Sequence, residues 1–513
     1  MPNNINTSGL AFDATAWHKR LITADRYKDR SSVSGRRIDE EAASDRARVI
    51  YSSAFRRLQH KTQVFTLSKD AAVRSRLTHS LEVASVGRWI AQTIVDDSLV
   101  GLDRHYSSAL ISLVETGCLA HDIGNPPFGH FGEASIRKWF TAKWESLAGA
   151  RANVQLTSLM EDLFQFDGNP QGIRILTRLQ GLTQKDREDF GMDLTYSQVL
   201  TALKYPRGPL DSKALWKKKP GFFETERVRI NEAWSKLGFK VQQRFPLAYL
   251  VEAADDISYC IGDMEDGIDQ GIFTPLQFFE GIDDWLKKPN PEIQLDALRA
   301  EAQRCRTEMA TPRNLESEKE RQSERERDKD CFATFKAAFS RTMIKEAARC
   351  YGDGGAEDIQ RGERPELLGG TDANDLLQTL KTIASRFLYP ADKVQTPFLA
   401  GLKVIYGILE EYGEFLRLTK DQFTMIRVAW RSADRRDISE NHLETLLPLL
   451  DRLPSHYLDV YDDAVKSSIR SVPCNDETWE WFCRAHLIVD YLSGMTDDFA
   501  YRTYQVISGA QLE

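Results

Sequence analysis

The sequence predicts an all-α protein, and three observations carry that prediction. Apolar residues recur with helical periodicity along most of the 513 residues, alternating runs of the β type are few and short, and no internal repeat is evident. Residues 1–40 are polar and rich in basic side chains from His18 to Arg37, and read as an arm or irregular lead-in. Helical spacing then runs from Glu40 to Asp97, with a break at residues 65–70. A second helix is expected over 108–122; it ends at Gly124-Asn125-Pro126-Pro127, where glycine caps and the prolines forbid continuation. A third is expected over 246–271, after a long segment with turn signals and a basic stretch, 204–219. Residues 313–330 are nearly all charged or polar and read as a solvated helix or surface segment. From Ala333 onward apolar helical spacing returns, with many tryptophans and tyrosines.

Composition bounds the function. Hydrophobic residues make up 42% and charged residues 28%, enough apolar material for a large core. The 76 acids outnumber the 68 bases, giving a formal charge of −8. That excludes a globally cationic nucleic-acid binder and leaves room for a local basic groove. No stretch approaches the roughly 20 apolar residues a membrane helix needs. The N-terminal residues MPNNINTSGLAFDATAW lack the basic start and apolar block of a secretory signal. Seven cysteines, odd in number and without a CxxC pair, read as thiols of a reducing cytoplasm.

Histidines are scarce, only nine, and their positions are informative. Leu110, Val114, Gly117 and His121 share one helical face, so His121 and the adjacent Asp122 arrive together at an interior position. A lone buried histidine is usually a satisfied core residue; a His-Asp pair before a tight GNPPFGH turn also suits metal ligation. On the third helix, Val251, Asp255, Tyr259 and Asp263 follow at intervals of four beside an apolar stripe. Acids there are costly unless paired, hydrogen-bonded or metal-bound. His79 opens another helix next to Arg74 and Arg76, and arginines beside a helix N-terminus suit an anion. Cys118 and Cys260 fall on buried faces and read as core fillers.

These residues sit inside longer words: FRRLQHKTQVF, RSRLTHSLEV, CLAHDIGNPPFGHFGE, FDGNPQGIR, LVEAADDISYCIGDMEDG and DYLSGMTDDFA, in that order from Phe55 to Ala500. The set resembles the HD-domain metal-dependent phosphohydrolases and, within them, the bacterial deoxyguanosine triphosphate triphosphohydrolases. The resemblance implies an all-α HD-domain core with a C-terminal helical region packed onto it. On this reading the chain divides into an arm (1–40), a catalytic core (41–275), a charged helical or loop segment (276–340) and the C-terminal helical region (341–513).

The resemblance further implies one divalent cation held by His79, His121, Asp122 and Asp255. Mn²⁺ or Mg²⁺ is the favoured ion, and Co²⁺, Ni²⁺, Fe²⁺ or Zn²⁺ would also suit these ligands. The family's catalytic pair falls on His130 and Glu133, and the i, i+3 spacing lets Glu133 polarise the ring. Matching positions assign substrate contacts to Gln63 (the sugar 3′-hydroxyl), Arg76, Asn125 and Asn169 (phosphates) and Tyr259 and Asp263 (deoxyribose). Lys204 and Tyr205 open the basic stretch; its lysines read equally as a phosphate clamp or a solvated loop. The implied activity is hydrolysis of dGTP at the α-phosphate, giving deoxyguanosine and triphosphate. Alternatives are a broader dNTP triphosphohydrolase or other HD nucleotide phosphohydrolase. From another class comes a nucleic-acid-binding protein with a regulatory HD site. The basic arm (Lys19, Arg20, Arg26, Arg30, Arg36, Arg37) and the lysine segment leave that last reading open, and the complete set of four ligands with His130 and Glu133 stands against it. A homo-oligomer such as a hexamer, and single-stranded DNA as an effector, are the further partners the resemblance suggests.

Overall fold

The computed structural model describes residues 13–28, 35–67, 70, 72–97, 101–181, 191–212, 219–288, 295–311, 318–352, 356–432 and 443–510. Among them the regular structure is helical, and strand-like pairing is limited to two isolated bridges, Arg26 with Thr195 and Thr62 with Ser75. The helices that frame the site are α1 (Ala14–Leu21), α2 (Ile38–Tyr51), α3 (Arg76–Asp96), α4 (Arg104–Ala120), α5 (Gly129–Ala148), α6 (Gly168–Arg174) and α7 (Pro246–Asp269). They continue as α8 (Glu318–Gly352), α9 (Asp392–Arg417), α10 (Asp476–Ser493) and α11 (Asp497–Ile507).

Local chemistry fixes where the central helices begin. Ser75 caps α3 in a reciprocal box: its Oγ accepts from the Thr78 N–H at 3.3 Å, and Thr78 Oγ1 accepts from the Ser75 N–H at 3.0 Å. Asp103 caps α4 by accepting from the amides of His105 and Tyr106, so that helix starts four residues before the apolar pattern suggests. Pro246 opens α7 at a position that needs no amide donor. These three helices pack on one another through Val83, Ile90, Ile94, Leu110, Val114, Cys118, Leu250, Ala254 and Ile257, all buried. Each such aliphatic side chain contributes about 1.5–3 kcal/mol.

Four expectations are corrected. α4 ends at Ala120, with His121 as its cap. Gly124 therefore has a different task from capping: a side chain there would collide with the Gly168 carbonyl and the Gly172 amide, so glycine lets α6 approach the turn. The described part of the N-terminal stretch, residues 13–28 and 35–40, is docked, with α1 burying His18 and Leu21. Its charges are engaged: Arg26 with Glu41 at 2.6 Å and Asp45 at 2.5 Å, Lys19 with Asp103 at 3.1 Å, Arg37 with Asp39 at 3.2 Å. Arg36 lies 3.8 Å from Glu41 and Arg20 over the Phe239 ring, while Arg30 lies outside the described residues. Finally, the expected boundary at 340 falls inside α8, a single 35-residue helix that buries Phe332, Phe335, Phe339 and Met343. The charged residues 313–317 lie outside the described part.

The C-terminal helices share the core of the first half. Trp139 on α5 donates to Glu410 on α9 at 3.0 Å. Asp490 on α10, fully enclosed, accepts from Arg174 of α6 at 2.7 Å and from Gln171 at 3.0 Å. No helix among the described residues is long and apolar enough to cross a membrane.

Candidate metal centre and active site

Three packed helices deliver one cluster. His79 lies in the first turn of α3, His121 caps α4, and Asp255 sits near the middle of α7. His79 Nε2 is 3.3 Å and His121 Nε2 3.5 Å from Asp255 Oδ1, and the two rings meet edge to face at 5.3 Å. One ligand atom from each of the three lies within 4.8 Å of the others. Asp122 stands at the rim, its Oδ1 3.5 Å from His121 Nε2 and its Oδ2 accepting from Arg76 at 2.8 Å.

His121 shows what the cluster is fit for. Its Nδ1 lies 2.7 Å from the Cys118 carbonyl, which fixes the proton there. Its Nε2 is buried and has no hydrogen-bond partner. A buried, lone-pair-bearing nitrogen beside two carboxylates is the arrangement a divalent cation satisfies, so these residues fit a metal ion. The carboxylates are ready for it. Burial alone would raise Asp122, but Arg76, His121 and His79 hold it down at about 2. Burial likewise opposes ionisation of Asp255, and Lys204, 2.9 Å away, with His121 and His79 keeps it well below the usual carboxylate range.

A strained turn supplies the second half. Phe128 and Gly129 both adopt left-handed backbone angles (φ 62° and 57°); Phe128 is the N-cap of α5 and Gly129 its first residue. His130 projects outward, its side chain 72% exposed, while Glu133, one turn on, is only 1% exposed. Glu133 Oε2 lies 3.0 Å from His130 Nδ1, and its Oε1 accepts from the Gly168 N–H at 2.9 Å. Burial pushes the Glu133 carboxyl up, and its bonds to His130 and Gly168 with the charge of Lys219 more than offset that, leaving it at about 2. Lys219 bridges Glu133 at 3.5 Å and Asp167 at 2.5 Å. It is a structured ion pair at the end of a stretch whose Lys213, Lys217 and Lys218 lie outside the described residues.

Both halves open into one cavity of about 650 Å³. His79, His121, Asp122, Asp255, His130 and Glu133 line it, as do Gln63, Arg76, Asn125, Asn169, Lys204 and Tyr259. Gln63 Oε1 is buried without a partner, Asn125 Nδ2 donates to Asp122, and Asn169 Nδ2 donates to Asp167 at 2.5 Å. Two expected contacts are placed elsewhere. Tyr205 is not part of the cavity wall; Lys204 Nζ lies 5.9 Å from its ring centre. Asp263 sits behind Tyr389, whose hydroxyl donates to it at 2.9 Å and also meets the Tyr259 hydroxyl. Burial raises the Asp263 carboxyl to about 7 against the opposing Tyr389 bond and His79 charge. Arg74, read as a partner of Arg76 at an anion site, is instead held by Glu82 at 2.8 Å and by Glu265 and Asp266. Burial raises the thiols of Cys118 and Cys260, as befits core fillers.

Sequence reasoning left the C-terminal wall of the cavity unnamed. Lys381, Tyr389, Val394 and Gln395 form it, and Phe131 packs on Phe398 with ring centres 3.5 Å apart. The only signal available was the return of aromatic residues to helical spacing after Ala333.

Residues 76–164 match the HD domain, so the fold and its cluster define an HD-domain protein. The likeness extends over nearly the whole chain. A deoxyguanosinetriphosphate triphosphohydrolase of Yersinia pestis is 34% identical over 505 residues, covering 91% of this chain and 94% of the relative. One of Cronobacter sakazakii is 34% identical over 534 residues, covering 96% and 98%. A Pseudomonas aeruginosa protein described as a "probable deoxyguanosinetriphosphate triphosphohydrolase" is 34% identical over 491 residues, covering 91% and 92%. The chain belongs to the deoxyguanosinetriphosphate triphosphohydrolase family.

Proposed function

We propose that the protein hydrolyses dGTP at the α-phosphate to deoxyguanosine and inorganic triphosphate. The observation that carries this is the shared cavity: an electron-pair-bearing His121 nitrogen beside two carboxylates, and a buried glutamate holding an outward histidine, line the same 650 Å³ space. One divalent cation, held by His79, His121, Asp122 and Asp255, would draw charge from the α-phosphate oxygens. Mn²⁺ or Mg²⁺ is the favoured ion.

The chain's own groups do the rest. With Nδ1–H donated to Glu133, His130 keeps Nε2 free to take a proton from the attacking water. The water oxygen joins the α-phosphorus, the bond to O5′ breaks, and the proton passes to the departing nucleoside. Arg76 and Lys204 line the phosphate side as fixed cations in an enclosed space. Gln63, with its orphaned oxygen, accepts from the sugar 3′-hydroxyl. The Tyr259 ring closes on the 2′ position and disfavours a hydroxyl there.

Product analysis with Mn²⁺ and each of the eight common nucleoside triphosphates tests the proposal. Triphosphate from dGTP alone supports it, and triphosphate from all four deoxy substrates replaces it with the broader activity. No turnover by metal-loaded protein overturns it. The same reading carries a homo-oligomer, with exposed Leu81 and Trp89 on α3 as apolar area for an interface, checked by light scattering. It also carries a cytoplasmic location, which seven free thiols suit. Single-stranded DNA as an effector rests on the family resemblance, while ion pairing of Lys19, Arg26 and Arg37 takes up much of the basic arm that left a purely nucleic-acid-binding role open.

A further inference from the structure

We propose that Asp497, at the start of α11, is a positioning residue for this reaction: one buried carboxylate holds together the loop that carries Gln63 and the turn that launches His130. The inference rests on the functional reading above. It concerns residues more than 360 positions from that turn, as the Phe128–Asp497 separation of 369 shows.

The geometry is complete on both sides. Asp497 Oδ1 accepts from the Phe128 N–H at 3.0 Å. Its Oδ2 accepts from the Thr62 N–H at 3.0 Å and from the Thr62 hydroxyl at 2.6 Å. Thr62 directly precedes Gln63, and Phe128 lies two residues before His130. Three donors on one enclosed carboxylate form charge-assisted bonds, roughly twice as strong as neutral ones. A neighbouring tie runs parallel: the buried Lys61 ammonium donates to the Ser493 carbonyl at 2.7 Å and to the Asn125 carbonyl. The C-terminal segment thus grips both sides of the turn between Asn125 and Phe128.

Phe128 explains why a grip is needed. A bulky residue at φ 62° is strained, and such a conformation persists only where its surroundings over-determine it. Its ring is locked from outside by α9, where Gly401 admits it: a side chain at Gly401 would come within 2.7 Å of the ring. Asp497 locks its amide. Releasing that amide lets the turn relax toward an ordinary conformation and swings His130 off its line. A misplacement of about 1 Å costs on the order of 100-fold in rate.

The test compares full-length wild type with D497A and D497N, loaded with Mn²⁺. D497A should bind one metal per chain as wild type does, because no metal ligand touches Asp497. It should lose about 10- to 100-fold in kcat for dGTP, and its preference for dGTP over 2′,3′-dideoxyguanosine triphosphate should collapse as Gln63 drifts. D497N keeps an oxygen for Phe128 and an amide donor for the Thr62 hydroxyl, so it should fall between the two. Hydrogen exchange gives an activity-independent readout: the amides of Thr62 and Phe128 should lose protection in D497A while the interior of α4 does not. Should D497A fail to fold, the D497N/T62V pair removes the Thr62 tie at nearly constant volume and gives the same comparison. Wild-type kcat together with unchanged protection at Thr62 and Phe128 overturns the proposal. If wild type itself releases no triphosphate from dGTP, the functional reading falls, and the exchange result alone decides the clamp.

Discussion

The two halves of the cavity are held in place by different physics. The half proposed to hold the metal hangs on three long helices whose apolar faces are buried together, so His79, His121 and Asp255 are fixed by many redundant contacts. The half proposed to be catalytic sits on a strained turn and on loop residues, and is held by a few specific polar ties: Glu133 to Gly168, Lys219 to Asp167, Asp497 to Thr62 and Phe128. Packing tolerates single losses by spreading them, whereas a polar tie is lost whole. The difference teaches where substitutions should separate stability from activity.

The largest effect should come from removing a proposed ligand. D255A takes away the oxygen shared by both histidines and strands Lys204 without its partner. Triphosphate release should fall by roughly 10²–10³-fold or more, and metal per chain, measured by mass spectrometry after gel filtration, should drop toward zero. Next comes H130A, which should cost about 10²–10⁴-fold in kcat while metal content stays at the wild-type level. If H130A also lost its metal, the two halves would not be separable in the way the structure implies.

The same division decides what could be read in the sequence. Helical spacing placed His121 on the face of Leu110 and Val114, and Asp255 beside a buried stripe, because a period of 3.6 residues maps directly onto packing. His130 and Glu133 were legible as an i, i+3 pair on one helix face. The polar ties were not legible, since nothing in local spacing shows that Asp497 lies against Thr62, or that Arg74 is consumed by Glu265 and Asp266. Gly124 was misread for a related reason: the close approach of α6 that demands it comes from residues more than forty positions away. The wall formed by Lys381, Tyr389 and Gln395 is likewise a product of tertiary packing.

A milder break of the catalytic half is E133Q. Loss of the buried charge that orients His130 should lower kcat about 10- to 100-fold, with metal content unchanged. The pH sign of its stability effect follows from the direction of the shift. Glu133 is depressed in the folded chain to about 2, below its ordinary value, so its stabilisation is fully present above about pH 4.5 and is lost as pH falls toward 2. At pH 7, E133Q should therefore be less stable than wild type by roughly 2–3 kcal/mol. In urea melts at a series of pH values, that gap should close between pH 4.5 and 2. A gap that stays constant over this window would mean that the charge is not what the fold uses.

The smallest effect on turnover should come from loosening the metal half itself. Cys118 is buried at the seam of α3, α4 and α7, and its backbone carbonyl, not its side chain, holds His121 Nδ1. C118A removes one sulfur and leaves that hydrogen bond intact. The expected cost is about 1–2 kcal/mol of stability, read from a shifted denaturation midpoint. With helices fixed by many contacts, the cluster of His79, His121 and Asp255 should keep its spacing, and kcat should stay within about twofold of wild type. A catalytic-half substitution such as D497N should lose far more activity for the stability it gives up. If C118A instead lost activity in proportion to stability, the metal half would be as finely balanced as the catalytic half, and redundancy of packing would not be what protects it.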